Sequence, residues 1–196
     1  MKLSVFRSGL LGLLLSIPAL AFAHTGTEGA SFMHGVVHPL QGWDHLLAMI
    51  AIGVLASRME GGQRWLLPAA FICAMAAGGA LGASGYPLPW VETFIALSLI
   101  AFGAAIFFAR QPALPLLAII AAGFALFHGH AHGSEMVAGS VAAYSAGFMM
   151  STATLHGIGL WLSLRVQEFG KRAKTLVRVS GCLIAASGLT LLGMAF

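Results

Sequence analysis

The sequence predicts an all-α fold: a polytopic membrane bundle of six transmembrane helices behind a cleaved signal peptide, with both termini of the mature chain outside. Three observations predict it. Hydrophobic residues make up 59% of the 196 and charged residues only 8%, too apolar a balance for an ordinary soluble domain. Apolar runs near the ~20 residues that cross a bilayer core follow one another along the chain. None alternates as a strand would, and in lipid, where no water satisfies the backbone, helices are the remaining spanning form.

Residues 1–23 read as a secretory signal. Lys2 and Arg7 supply the charged n-region, the residues from Leu10 to Leu20 the apolar stretch, and Ala21-Phe22-Ala23 an A-x-A cleavage site. The alternative is an uncleaved signal anchor. Cleavage makes His24 the new N-terminus, and residues 24–196 form one six-helix domain. A short polar segment with Gly26, Gly29 and Gly35 leads to the first span, expected over His38–Ala56. The charged turn Arg58–Arg64 precedes the second span, Trp65–Ala83, and Ser84–Pro89 turns the chain into the third, Trp90–Ala109. Arg110-Gln111-Pro112 turns it into the fourth, Ala113–Gly133; Glu135–Leu164 holds the fifth. A basic loop, Arg165–Arg178, precedes the sixth, Val179–Phe196.

Six spans place all the lysines and arginines of the mature chain on one side: Arg58, Arg64, Arg110, Arg165, Lys171, Arg172, Lys174 and Arg178. The positive-inside rule makes that side cytoplasmic, in agreement with the signal peptide. The expected location is the bacterial cytoplasmic membrane, with lipid as neighbour. The basic pI therefore reports topology, and no nucleic-acid partner is expected. Trp65, Trp90 and Trp161 stand near span ends, as interfacial tryptophans do. Cys73 and Cys182 lie within apolar runs without a CxxC partner and read as small buried thiols.

Histidines follow a different rule. His24, His34, His38, His45, His128, His130 and His132 fall in the outer half with Asp44, Glu92 and Glu135; only His156 lies deep, toward the cytoplasmic end of span five. The first concentration is HGVVHPLQGWDHLLA from His34 to Ala48. Pro39 suits a first helical turn, so a helix beginning there sets His38 and His45 two turns apart on one face. Ionisable groups in a hydrophobic span are costly, and a functional site is the default reading. The bland alternative is a polar helix mouth wetted by headgroups.

The second concentration is FHGHAHGSE, Phe127–Glu135. On a helix His128 and His132 are i,i+4 neighbours, Glu135 shares their face, and His130 points elsewhere. Gly129 and Gly133 would admit a second helix closely. The alternative is a polar inter-span loop. Met33–His38 and Phe127–His132 share the pattern [M/F]-H-G-x-x-H, a short hint of internal duplication.

Imidazole with carboxylate suits divalent first-row metals, and the absence of thiolate near these motifs argues against a closed structural zinc site. Other residues stay open. His24 can chelate through its amine and ring or be an ordinary terminus. Glu92 can complete an entrance or favour a helix dipole. His156 can be an inner way-station or a hydrogen-bonded bundle residue. Phe71, Cys73 and Met75 read as packing.

These motifs resemble the HupE/UreJ family of nickel/cobalt permeases across the whole chain. H-P-x-x-G-x-D-H is matched by His38, Pro39, Gly42, Asp44 and His45, and A-H-G-x-E by Ala131, His132, Gly133 and Glu135. The resemblance implies metal transport depending on His38, Asp44, His45, His132 and Glu135, with Glu92 and Phe71 as additions. It also implies service to hydrogenase or urease maturation proteins. The ligand set expected from residues and resemblance together is His38, Asp44, His45, His128, His132 and Glu135, with His24, His34, Glu92, His130, His156 and Phe71 as further metal or pathway positions. The expected activity is secondary import of nickel or cobalt, carried as cargo and with no permanently bound cofactor; no Walker A motif supplies an ATPase. The competing readings are an intramembrane zinc hydrolase, with Glu135 as base, and a metal-binding accessory or sensor protein without flux.

Overall fold

The computed structural model describes residues 31–109, 113–136 and 141–194. The signal peptide, His24 and the turn Arg110–Pro112 lie outside the described residues. What is described is all-helical: α1 (Phe32–Val37), a 3-10 turn (His38–Leu40), α2 (Trp43–Ala56), a 3-10 turn (Gly61–Trp65), α3 (Leu66–Ala83), α4 (Val91–Phe107), α5 (Leu114–Ser134), α6 (Val141–Glu168) and α7 (Lys171–Met194). The second 3-10 turn with α3, then α5 and the greater part of α7, are each long and apolar enough to cross a membrane. A fourth crossing results if α1 and α2 count as one broken span. The 17-residue α4 is apolar but shorter.

Two expected boundaries are corrected. The first span is not one helix from Pro39. The chain passes from the 3-10 turn through Gly42, whose backbone is extended (φ −105°, ψ 124°), and α2 leaves at 84° to the preceding helix. Nor is Arg165–Arg178 a basic loop. α6 continues to Glu168, Gly170 turns the chain at φ 87°, and α7 begins at Lys171. Long basic side chains can stay helical because their stems lie along the apolar surface while their heads reach polar groups. Arg178 Nε donates to the Phe107 carbonyl, while the Arg58 guanidinium donates to those of Ala105 and Ile106, so both satisfy the C-terminal end of α4.

The core sits around α2. Every residue from Ala48 to Ala56 except Ile50 is buried, as befits a helix that is hydrophobic all round. Against it pack Leu67, Phe71 and Met75 of α3, Leu99 and Phe102 of α4, and Tyr144, Phe148 and Leu155 of α6. The outer surface carries Ile119, Trp161, Leu183 and Leu189, an apolar exterior suited to lipid. Cys73 and Cys182 are free thiols on this exposed surface, not in the core, because a small apolar thiol is accepted by lipid as readily as by protein.

Glycines set the closest helix pairings. A Cβ on Gly129 would meet the Met75 carbonyl and one on Gly133 the Gly79 carbonyl, so α3 and α5 touch backbone to backbone. Gly53 and Gly159 bring α2 and α6 equally close, against the carbonyls of His156 and Ile50. These contacts bring the ends of α2, α5 and α6 that carry the motifs into one region.

Candidate metal centre

The centre is best built from α2. Asp44 and His45 open this helix, where a carboxylate is favoured by the exposed N–H groups. Asp44 Oδ1 lies 2.8 Å from His45 Nδ1. With the ionised carboxylate accepting from Nδ1–H, the free lone pair of the neutral ring is on Nε2, which is buried and has no protein partner. Gly42 permits this pairing: a Cβ there would lie 2.6 Å from Asp44 Oδ1 and 2.9 Å from His45 Nδ1. The glycine of H-P-x-x-G-x-D-H thus makes the room for the Asp–His pair.

Opposite His45 stands α5. The His45 ring centroid is 4.2 Å from that of His132 and 5.2 Å from that of His128. His128 Nδ1 lies 3.1 Å from the Phe124 carbonyl, and donation to that oxygen leaves Nε2 unpartnered and buried. Both ring nitrogens of His132 are buried without partners. The bend at Gly42 returns His38 to the same place, 4.7 Å from His132 between centroids. Glu135, just past the end of α5, sets Oε2 3.5 Å from His38 Nε2. Hydrogen bonding to His38 holds the Glu135 carboxyl below its usual range, against the opposing effect of burial. One ligand atom each from His38, His132 and Glu135 lies within 4.8 Å of the others, close enough to hold one ion.

His38 and His45 therefore converge by a bend and not along one helical face. His34 is peripheral, edge-on to His38 and Tyr144. His130 faces away and lies 2.7 Å from the Tyr86 carbonyl through Nε2, tying α5 to the loop after α3. Exposed Glu92 shares a cavity of about 310 Å³ with Asp44, on the side of α2 toward α4 and α7. Phe71 is fully buried, its ring centroid 5.9 Å from His128 and 5.3 Å from His156. His156 itself lies apart from the outer group.

Sequence reasoning missed the wall of the site. Tyr144 and Phe148 on α6 pack against His38 and His132, with the Phe148 and His132 centroids 4.2 Å apart. Thr152, one turn further, is fully buried with its hydroxyl unpartnered. Their signal was present: Tyr144, Phe148, Thr152 and His156 recur every four residues, which places them along one helix face.

The fold and the site define a class: a helical membrane protein whose core holds a cluster of unpartnered imidazoles with two carboxylates at its edge. The chain belongs to the HupE/UreJ family, whose pattern, described as HupE / UreJ protein, matches residues 12–191. Protein HupE of Rhizobium leguminosarum bv. viciae is 43% identical over 180 residues, covering 91% of this chain and 93% of that protein. No solved structure matches the chain.

Proposed function

We propose that the chain imports a divalent first-row metal, nickel or cobalt, across the bacterial cytoplasmic membrane for the maturation of a metalloenzyme such as hydrogenase or urease. In this reading α2 to α7 are six spans and the histidine group faces outward. The observation that carries it is the set of buried ring nitrogens without protein partners, His45 Nε2, His128 Nε2 and both nitrogens of His132, on rings packed together with the His132 and His128 centroids 4.2 and 5.2 Å from that of His45. Buried polar atoms are normally satisfied, and unsatisfied ones are costly. Lone pairs grouped in this way, beside His38 and Glu135, suit an incoming cation. Nitrogen with carboxylate oxygen fits borderline divalent ions. Mixed ligands around a mouth, with Glu135 exposed, favour capture followed by release rather than permanent holding.

The test is nickel uptake into proteoliposomes containing the purified protein, with cobalt as competitor. Saturable uptake that falls in His132→Ala supports transport. Metal bound by the protein without appearing in the lumen identifies a binding protein without flux. Turnover of an added peptide or ester with metal retained identifies a hydrolase.

A further inference from the structure

Below the outer group the bundle contains a second polar place, at His156. The ring is almost fully buried, and both Nδ1 and Nε2 lack hydrogen-bond partners. One turn earlier on the same face, the Thr152 hydroxyl is also buried and unpartnered. Three orphan polar atoms within one helical turn are expensive in a bundle core, where each lost hydrogen bond carries a desolvation penalty. Packing alone gives no reason for them.

Their position explains them. Tyr144, Phe148, Thr152 and His156 descend one face of α6 by about 18 Å, at ~1.5 Å per residue. The upper two touch the outer histidines. Facing them, the rings of His132, His45, His128 and Phe71 lead down to His156, each centroid within 5.9 Å of the next. Phe71 thus separates the outer imidazoles from the inner one. Below His156 the same face of α6 brings Ser163, two turns on, to a hydrogen bond of 2.8 Å with Ser57, and Gln167 donates to both hydroxyls. This end of the bundle also holds Arg58 and Arg178.

We propose that Thr152 and His156 form a second, inner station for the transported ion, which binds it through one imidazole nitrogen and one hydroxyl oxygen after it has passed Phe71. The proposal rests on the transport reading above. Two protein donors make a weak site, with water completing the coordination. Weakness suits the place, because an ion that must leave needs several moderate sites rather than one deep one.

The experiment uses the full chain purified in detergent and titrated with cobalt(II), following the visible d–d absorption and counting bound metal by dialysis. The wild type is expected to bind in two steps. His156→Gln keeps the tighter step and loses the weaker; Thr152→Val, which keeps the volume, weakens that same step. His156→Cys restores a donor and regains it, which a purely packing role would not allow. In proteoliposomes His156→Gln is expected to lower the maximal nickel uptake rate by about tenfold or more while leaving the half-saturating concentration unchanged. Two intact binding steps in both His156→Gln and Thr152→Val would overturn the proposal. So would an effect of His156→Gln on half-saturation without one on maximal rate. If wild-type vesicles accumulate no nickel, the transport reading fails, and dependence of the weaker step on His156 still decides the inner site for or against.

Discussion

Asp44→Asn tests the centre at its most defined contact. Asp44 accepts from His45 Nδ1 at 2.8 Å, and its side chain is 19% exposed. The bond is charge-assisted and fixes the tautomer that leaves Nε2 free, on a ring packed against those of His128 and His132. Asparagine keeps the size and can still accept through its amide oxygen, but the charge that favours a metal-bound imidazole is gone. Loss of such an outer-shell carboxylate typically costs 10–100-fold in metal affinity, or about 1.4 to 2.8 kcal/mol. The variant also removes a largely buried charge, so the helix inserts no less easily and membrane abundance is expected to be normal. The assay is initial-rate nickel uptake across a concentration series, with expression matched by blot. The expected result is a half-saturating concentration raised by about 10–100-fold. A half-saturating concentration at the wild-type value would refute the orienting role of Asp44. So would a fall in maximal rate alone, which would place Asp44 on the path of the ion rather than behind a ligand.

Other changes separate site from scaffold. Gly42→Ala is expected to push the Asp44–His45 pair apart and raise the half-saturating nickel concentration while abundance holds. Gly129→Ala drives a methyl into the Met75 carbonyl and is expected to lower thermal stability by about 1–3 kcal/mol or more, whereas Gly123→Ala, with open space around it, is expected to be neutral or slightly stabilising in the same melting assay. His130→Gln is expected to reduce stability through the Tyr86 contact yet leave half-saturation unchanged, in contrast to His132→Ala. Reporter fusions at Gly62 and Gly170 are expected to be cytoplasmic and one at Ser84 external; a cytoplasmic signal at Ser84 refutes the proposed topology.

Helix identity was legible because apolar composition and length leave little alternative in lipid. The α3–α5 contact was legible from Gly129 and Gly133, since close approach needs small residues at fixed spacing. The basic segment reads as a loop because charge density hides its helicity: the apolar stems of Lys and Arg are compatible with a helix, and α7 runs through it. Cys73 and Cys182 read as buried but lie on the surface for a related reason: in a membrane bundle an apolar face turned outward looks in sequence like one turned inward. At the site, residue types were legible and geometry was not. Neither helical periodicity nor the [M/F]-H-G-x-x-H likeness reveals that His38 reaches His132 by a sharp bend, or that Tyr144 and Phe148 wall the pair. Those depend on how α1, α2 and α6 pack, and one sequence carries little of that information.

The bend is where fold and function meet. A straight helix from Pro39 would set His38 about 10 Å from His45 along its axis, at ~1.5 Å per residue. Facing one helix in that register, the two would meet different turns of α5. The 84° break instead folds His38 back so that it and His45 both contact His132 from separate directions. The break shortens α2 to 14 residues, below the length that spans a bilayer by itself. A chain optimised for insertion would keep that helix whole. Non-helical backbone at membrane depth is tolerated where protein buries it, and broken helices in transporters serve ion sites in this way. The break at Gly42 therefore ties a loss of regular helix to the meeting of His38, His132 and Glu135 within reach of one ion, with His45 packed against His132, and straightening this turn is expected to remove the centre before it removes the bundle.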